Sequence, residues 1–332
     1  MRPLQVAATD PKTVCDCPGP RFTARHKGKG LSPFAKLGQT ERTSRQSGRG
    51  KGERVGVSEE AKFLVRFWGV RGSIACSGPE TIRYGGNTSC LEIRCGSRLL
   101  IFDAGTGARK LGLSLPTGPL DYDHFFTHTH WDHIAGVPFF CPAYRNGNRI
   151  RIRAGHLAPP LTMEAALRQA MSEPLFPVPF EILKAEIEFV DFAAGDTLDL
   201  GDGITVRTAP LNHPNGATGY RIDYDGKSIC YITDTEHVPG SPDRNILNLI
   251  EGADIVIYDS TYTDEEFDQY VGWGHSTWQE GVRLAQAANV GRLVIFHHDP
   301  GRDDDALDVI GAAAKAMFAG ALIAREGETL TP

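Results

Sequence analysis

The sequence predicts an α/β fold of four layers, an αββα sandwich of two packed β-sheets with helices outside. Two observations point there. Many strands come before and between few helices, several of them in antiparallel hairpins, and the chain finishes in β-α-β-α order. KFLVRFWG, from Lys62, reads as a strand, and SCLEIRCGSRLLIFDAG as two strands joined at Gly96-Ser97, a hairpin signal. YDHFFTHTH is a short strand running into a loop. GITVRTAP, the hairpin ATGYRIDYDGKSICYITD turning at Asp225-Gly226, and ADIVIYDST follow as strands, with GRLVIFHHD a buried one near the end. Helices are predicted over about 162–171, 243–251, 276–289 and 303–318, the last with acidic residues in its first turn, where they complement the helix dipole.

Residues 1–60 depart from this pattern. RFTARHKGKGLSPFAKLGQTERTSRQSGRGKGER is rich in Arg, Lys, Gly, Ser and Thr and poor in aliphatics. Such a segment buries too little apolar surface to offset chain entropy, so it reads as a disordered basic tail ahead of one domain over 61–332. A basic tail leaves a nucleic-acid contact open, although a solvated extension is the simpler reading. The 332-residue chain carries a formal charge of −6, so the body is more acidic than the total. No apolar run approaches the roughly 18–20 residues of a membrane span, and the start lacks the apolar stretch of a secretory signal. A cytoplasmic protein with no membrane partner is therefore expected. Seven scattered cysteines, an odd number, make no disulfide framework. Cys90, Cys95 and Cys230 fall in strand-like runs and read as small buried apolar residues. Cys15 and Cys17, in the tail, are two thiols without further partners.

The chemistry concentrates in FFTHTHWDHIAG, where His128, His130, Asp132 and His133 put three imidazoles and a carboxylate within six residues after an apolar strand. Imidazole and carboxylate are ligands that zinc and its neighbours accept. In an extended segment His128 and His130 point the same way, and a following helical turn lets Asp132 and His133 face a second point nearby. Two ligands for each of two metals is the simplest geometry this spacing permits, with further ligands needed from elsewhere.

At these residues the sequence resembles the metallo-β-lactamase superfamily, whose signature HxHxDH stands here at His128, His130, Asp132 and His133. The resemblance runs from about Phe63 to the C-terminus through FWGVRGSIACSGPETIRYGGNTSC, IFDAGTG, LNHPNGATGYRI, YITDTE, DSTYTDEEF, GHSTWQEG and IFHHDP. It is most similar to the ribonuclease Z and cyclic-nucleotide phosphodiesterase-like branch. The resemblance implies the same αββα sandwich with metals bound along one edge. It also implies two divalent ions, zinc or manganese. His128, His130 and His213 would take the first; Asp132, His133 and His297 the second, with His298 the alternative to His297; Asp234 would bridge both. The catalytic residues it implies are His275, near the scissile phosphate, and Asp132. The activity implied is hydrolysis of a small phosphodiester such as a cyclic nucleotide; a lactone or thioester hydrolase, or a ribonuclease without its tRNA-binding arm, are the alternatives. A homodimer is compatible with it.

Two departures bear on the substrate. His213 and Asp234 are 21 residues apart, filled by one hairpin, which leaves no room for the long Gly/Pro-rich arm of the tRNA-maturing members. Between the cluster and His213 lies LAPPLTMEAALRQAMSEPLFPVPFEIL, a short helix and a Pro-rich, aromatic-containing loop. Either it lies over the metal edge as a lid, or Leu175, Phe176 and Phe180 simply pack into the core. Trp131 lines the entrance or packs. Asp103 orients a ligand histidine or serves its Gly-rich turn, Asn87 is a weaker candidate, and Ser276 and Thr277 offer helix-start chemistry beside His275.

Overall fold

The computed structural model describes residues 63–157 and 159–332; the basic tail, with Cys15 and Cys17, lies outside them. Two seven-stranded sheets form the centre. The first contains β1 (Phe63–Gly69), β2 (Cys90–Cys95), β3 (Arg98–Phe102), β4 (Asp121–Phe126), β5 (Arg149–Ala154), β6 (Glu186–Asp191) and β14 (Thr329–Leu330), in the order β14-β1-β2-β3-β4-β5-β6. The second contains β7 (Thr197–Asp199), β8 (Thr205–Leu211), β9 (Ala217–Tyr224), β10 (Lys227–Ile232), β11 (Ile255–Asp259), β12 (Arg292–Phe296) and β13 (Ala321–Ile323), in the order β13-β12-β11-β10-β9-β8-β7. Each sheet is part antiparallel and part parallel. β3 to β6 run parallel in the first, and β10 to β13 in the second.

Among the described residues there are six helices: α1 (Gly107–Ser114), the single turn α2 (Trp131–Ile134), α3 (Met163–Ala170), α4 (Arg244–Ile250), α5 (Trp278–Ala287) and α6 (Asp304–Met317). α1 and α3 pack on the first sheet, and α4, α5 and α6 on the second, which completes the four-layer sandwich. Side chains alternate across each strand, so each sheet feeds two cores. Phe67, Ile93, Phe102 and Phe125 meet Tyr220, Ile222, Tyr231, Ile257 and Phe296 between the sheets. The outer cores hold Leu111, Met163 and Leu167 on one side and Val282, Leu284 and Leu307 on the other. Among the described residues no helix is long and apolar enough to cross a membrane.

Among the elements that went unpredicted are α1, β5 and β6, besides the short strands β7, β13 and β14. α1 was hidden by Gly107 and Gly112, poor helix formers. Gly107 is required by close packing, because a Cβ there would sit 2.4 Å from the Trp68 carbonyl oxygen. β5 reads RIRIRA and β6 EIEFVD, both with charges at alternate positions. The β5 charges have a partner: the fully buried Asp123 accepts from Arg98 at 3.0 Å, Arg151 at 3.0 Å and Arg153 at 2.7 Å. Burial works to raise the Asp123 pKa, but Arg151 and Arg153 outweigh it and hold the carboxyl below its ordinary range. α5 begins at Trp278, two residues later than predicted, because Thr277 is its N-cap and accepts from Glu280 N–H at 3.1 Å.

The aromatic centre of the inner core sets a test of the packing. Phe125 stacks on Phe102 at 5.0 Å and meets Tyr220 edge-on at 5.5 Å, with no exposed surface. Phe125→Ala should cost about 3–5 kcal/mol of stability, measured by denaturant titration.

Candidate metal centre

The site is assembled from strand ends. His128 and His130 follow β4, with Asp132 and His133 in α2; His213 follows β8, Asp234 follows β10 and His297 follows β12. All these strands end at one edge of the sandwich, where open α/β sheets place their ligands. Asp103, Asp234 and His297 take the left-handed conformation, with φ of 57°, 57° and 61°. A non-glycine residue in that region costs of order 1–3 kcal/mol and persists only where its surroundings enforce it. Here the turn directs each side chain from a buried strand to the edge.

Two groups result. His128, His130 and His213 form one, and Asp132, His133, Asp234 and His297 the other, with the ligand-type atoms of each group within 4.8 Å of one another. His133 Nε2 lies 3.3 Å from Asp132 Oδ2 and 3.2 Å from Asp234 Oδ1. His297 Nε2 lies 3.2 Å from Asp132 Oδ2 and 3.4 Å from Asp234 Oδ2. Asp234 Oδ2 is also 3.6 Å from His128 Nε2 and 3.8 Å from His213 Nε2, so one carboxylate stands between the groups. Ligands about 2.1 Å from a tetrahedral ion are about 3.4 Å apart, the spacing seen here.

The nitrogens are also chemically prepared. Nε2 of His128 and of His133 is buried without a hydrogen-bond partner, a costly arrangement unless something else is bound. In four of the five ligand-type rings Nδ1 is engaged, while His130 turns its Nδ1 to within 3.0 Å of His213 Nε2. His213 Nδ1–H donates to the Gly274 carbonyl at 2.7 Å, and His133 Nδ1–H to Asp103 Oδ2 at 2.8 Å. Thr127 Oγ1 gives its hydrogen to Asp103 and so accepts from His128 Nδ1–H at 3.1 Å. Thr261 Oγ1, which donates to Asp259, likewise accepts from His297 Nδ1–H at 3.0 Å. These contacts fix the tautomers and leave Nε2 lone pairs facing the groups, as metal-binding histidines require. The donor set therefore fits divalent ions. Burial drives the His128 pKa well below its usual value, keeping that imidazole neutral as a ligand must be.

His275 lies at the same edge but is bound differently. Its Nδ1 lies 3.9 Å from Asp234 Oδ2 and is already committed to Asp259 Oδ2 at 3.0 Å. Burial lowers the pKa of this imidazole, yet the Asp259 charge and hydrogen bond, with Asp234 and Asp132 beyond, raise it to about 9. His275 thus stands beside the ligand groups with one ring nitrogen held by the Asp259 carboxylate, a contact that raises its affinity for a proton.

The remaining candidates divide. His298 turns away: its Nε2–H donates to the Ala324 carbonyl at 2.9 Å, and burial lowers its pKa to about 3. Asp103 takes Thr127 N–H at 2.8 Å, Tyr231 OH at 2.9 Å and His133, so it holds a ligand ring. Asn87 is not brought to the site; it bonds Glu326 and Thr106. Trp131 is 57% exposed at the edge. Of the insertion, Met163, Leu167, Met171 and Phe180 are buried against the first sheet, while Leu175 stays 58% exposed. Sequence reasoning missed Asp259, Thr127, Thr261 and the Ser73 N–H that donates to Asp132 Oδ2 at 2.8 Å. Asp259 carried a signal, since a carboxylate that closes an all-apolar strand repeats the pattern of Asp234.

Fold and site together define a metal-dependent hydrolase. The chain belongs to the metallo-β-lactamase superfamily: the family model described as "Beta-lactamase superfamily domain" matches residues 98–298, well over half of it. A ribonuclease Z from Myxococcus xanthus is 25% identical over 289 residues, covering 74% of this chain and 92% of the relative. Among solved structures, the metallo-β-lactamase fold protein YhfI from Bacillus subtilis superimposes with a TM-score of 0.63 at 20% identity, over 81% of this chain and 99% of that one. A diphosphatase from the PhnP family does so with a TM-score of 0.60 at 18% identity, over 81% and 98%.

Asp103 offers a test of how the site is held. Asp103→Asn puts an amide where the hydroxyls of Thr127 and Tyr231 and the His133 ring all donate. Metal affinity should fall about 10–100-fold in competition with a chelator, with thermal melting distinguishing this from loss of the fold.

Proposed function

We propose that the chain holds two divalent ions, zinc or manganese, and hydrolyses a small phosphodiester such as a cyclic nucleotide. His128, His130 and His213 hold one ion, Asp132, His133 and His297 the other, and Asp234 is shared. The ions would supply an activated water and a Lewis acid for a phosphoryl oxygen. Asp132 acts through what it holds: Ser73 N–H donates to its Oδ2, which faces the Nε2 atoms of His133 and His297 across the position the second ion would take.

The observation that carries the phosphodiester reading is the Asp259–His275 pair. A protonated imidazole beside the ligands suits an anionic phosphate and a poor alkoxide leaving group. As water adds to phosphorus and the bond to the leaving oxygen breaks, the His275 ring proton not held by Asp259 would pass to that oxygen and the proton released by the attacking water would restore it, giving a monoester and an alcohol. A lactone or thioester needs this group less. The small-substrate reading is supported by the segment between His213 and Asp234, which consists of the β9–β10 hairpin with short connections. The ribonuclease Z relative favours a second reading, an RNA-cleaving enzyme without an arm; turnover of RNA ends but of no small diester would select it.

His275→Ala should keep both metals by elemental analysis yet lose about 100-fold or more in turnover on diesters with poor leaving groups. The loss should shrink with p-nitrophenolate, which needs little protonation; full turnover on poor leaving groups would remove His275 from the reaction. Asp234→Ala should lose metal and activity together. Folded protein that takes up no metal on reconstitution would overturn the whole reading.

A further inference from the structure

We propose that Arg71 is a positioning residue for the second ion: its guanidinium locks a strained turn whose backbone holds Asp132 and packs on the His297 ring. This rests on the two-ion reading above.

Arg71 follows β1 in the segment VRGS and has no exposed surface. Its Nε–H donates to the Gly85 carbonyl at 2.9 Å, and its Nη1 to the carbonyls of Asp299 at 3.3 Å and Arg302 at 2.7 Å. Nη2 is buried without a partner. A guanidinium sealed in this way costs stability, and a well-packed apolar side chain would serve the core at least as well. An apolar side chain could not, however, hold three carbonyls with one rigid fork. Those carbonyls come from two separate loops, one ahead of β2 and one after β12.

The turn so fixed lies on the metal centre. Arg71 N–H donates to the Asn87 carbonyl at 2.9 Å and Gly72 N–H to that of His298 at 3.0 Å, while His298 N–H returns to Val70 O at 3.0 Å. Ile74 N–H then donates to Gly72 O at 2.6 Å and closes a three-residue turn around Ser73, whose φ is +59°. A γ-turn of this hand is rare and strained, and a serine persists there only where its neighbours enforce it. Both sides of the turn meet the second group. Ser73 N–H donates to Asp132 Oδ2 at 2.8 Å, the oxygen that also faces His133 and His297. A Cβ at Gly72 would lie 2.3 Å from Cε1 and Nδ1 of His297, so the Gly72 backbone rests on that ring. The first group is supported elsewhere, His128 by Thr127 and His213 by Gly274. Loss of the fork therefore loosens one ion and spares the other.

The test titrates cobalt(II) into metal-free, full-length protein and follows uptake by calorimetry and visible absorption. His213→Ala, which removes a ligand of the first group only, identifies the two binding steps. Arg71→Met should weaken the second ion about 10–100-fold and change the first by less than about threefold. Arg71→Lys keeps the charge without the fork, so it should lose nearly as much, and it carries the test where Arg71→Met does not fold. Adding Ser73→Gly to either variant should recover about threefold of the second affinity, because glycine takes φ of +59° without strain. Arg221→Met is the structural control. Arg221 is likewise buried and donates to the Leu249 and Glu251 carbonyls; its loss should lower the melting temperature and keep both affinities. Equal weakening of both ions, full second-ion affinity in Arg71→Lys, or no recovery with Ser73→Gly would overturn the positioning role and leave the two-ion reading intact. An unsubstituted protein that binds fewer than two ions would overturn the two-ion reading and this role with it. One that binds two ions and hydrolyses no diester would overturn the phosphodiesterase reading alone.

Discussion

The buried carboxylate of Asp103 is the interaction on which the metal edge depends. It leaves β3 in a left-handed turn and accepts from the backbone and hydroxyl of Thr127 beyond β4, from His133 in α2 and from Tyr231 on β10. One side chain thus joins both sheets and orients a ligand ring. An unpaired carboxylate in such a place is prohibitively expensive, so its partners must all be present together. The first sheet, the second sheet and the HTHWDH segment therefore reach their native arrangement as one unit or not at all.

Asp259 does for the second sheet what Asp103 does for the junction. It accepts from Thr235 N–H at 3.0 Å and Thr261 Oγ1 at 2.7 Å, and it keeps a charge next to His275. A third support runs from the Glu236 carboxylate through the backbone of the 272–274 turn. Glu236 takes Gly272 N–H at 2.7 Å and Gly274 N–H at 2.9 Å, while the Gly274 carbonyl holds His213. A Cβ at Gly274 would sit 2.4 Å from His213 Nδ1, and its φ is +85°, so glycine is required there on two counts.

Much of this was legible in the chain. Strands with contiguous apolar runs, such as β10 and β11, announced themselves, and so did the hairpins at Gly96 and Asp225, because burial and turn chemistry leave local signals. HTHWDH was readable because four donors in six residues have few other uses. His213, Asp234 and His297 were readable only through order along the chain, since each by itself looks like a loop residue. What stayed hidden depends on distant partners. Arg151 and Arg153 make sense in β5 only once Asp123 lies between them. Thr127 and Thr261 look like ordinary strand-end threonines until the rings they face are in place. The difference between His297 and His298 is a matter of which way adjacent side chains point: His297 Nε2 faces Asp132 and Asp234, while His298 Nε2–H goes to the Ala324 carbonyl.

The two ligand groups also divide by sheet. His128, His130, Asp132 and His133 come from the first, and His213, Asp234 and His297 from the second. Each group draws on both, so a divalent ion in either position would act as a non-covalent cross-link across the seam. Its binding free energy would then add to the docking of the sheets, by an amount that rises with the free ion concentration. The catalytic edge would be at once the reactive end of the molecule and the clasp that holds its halves together.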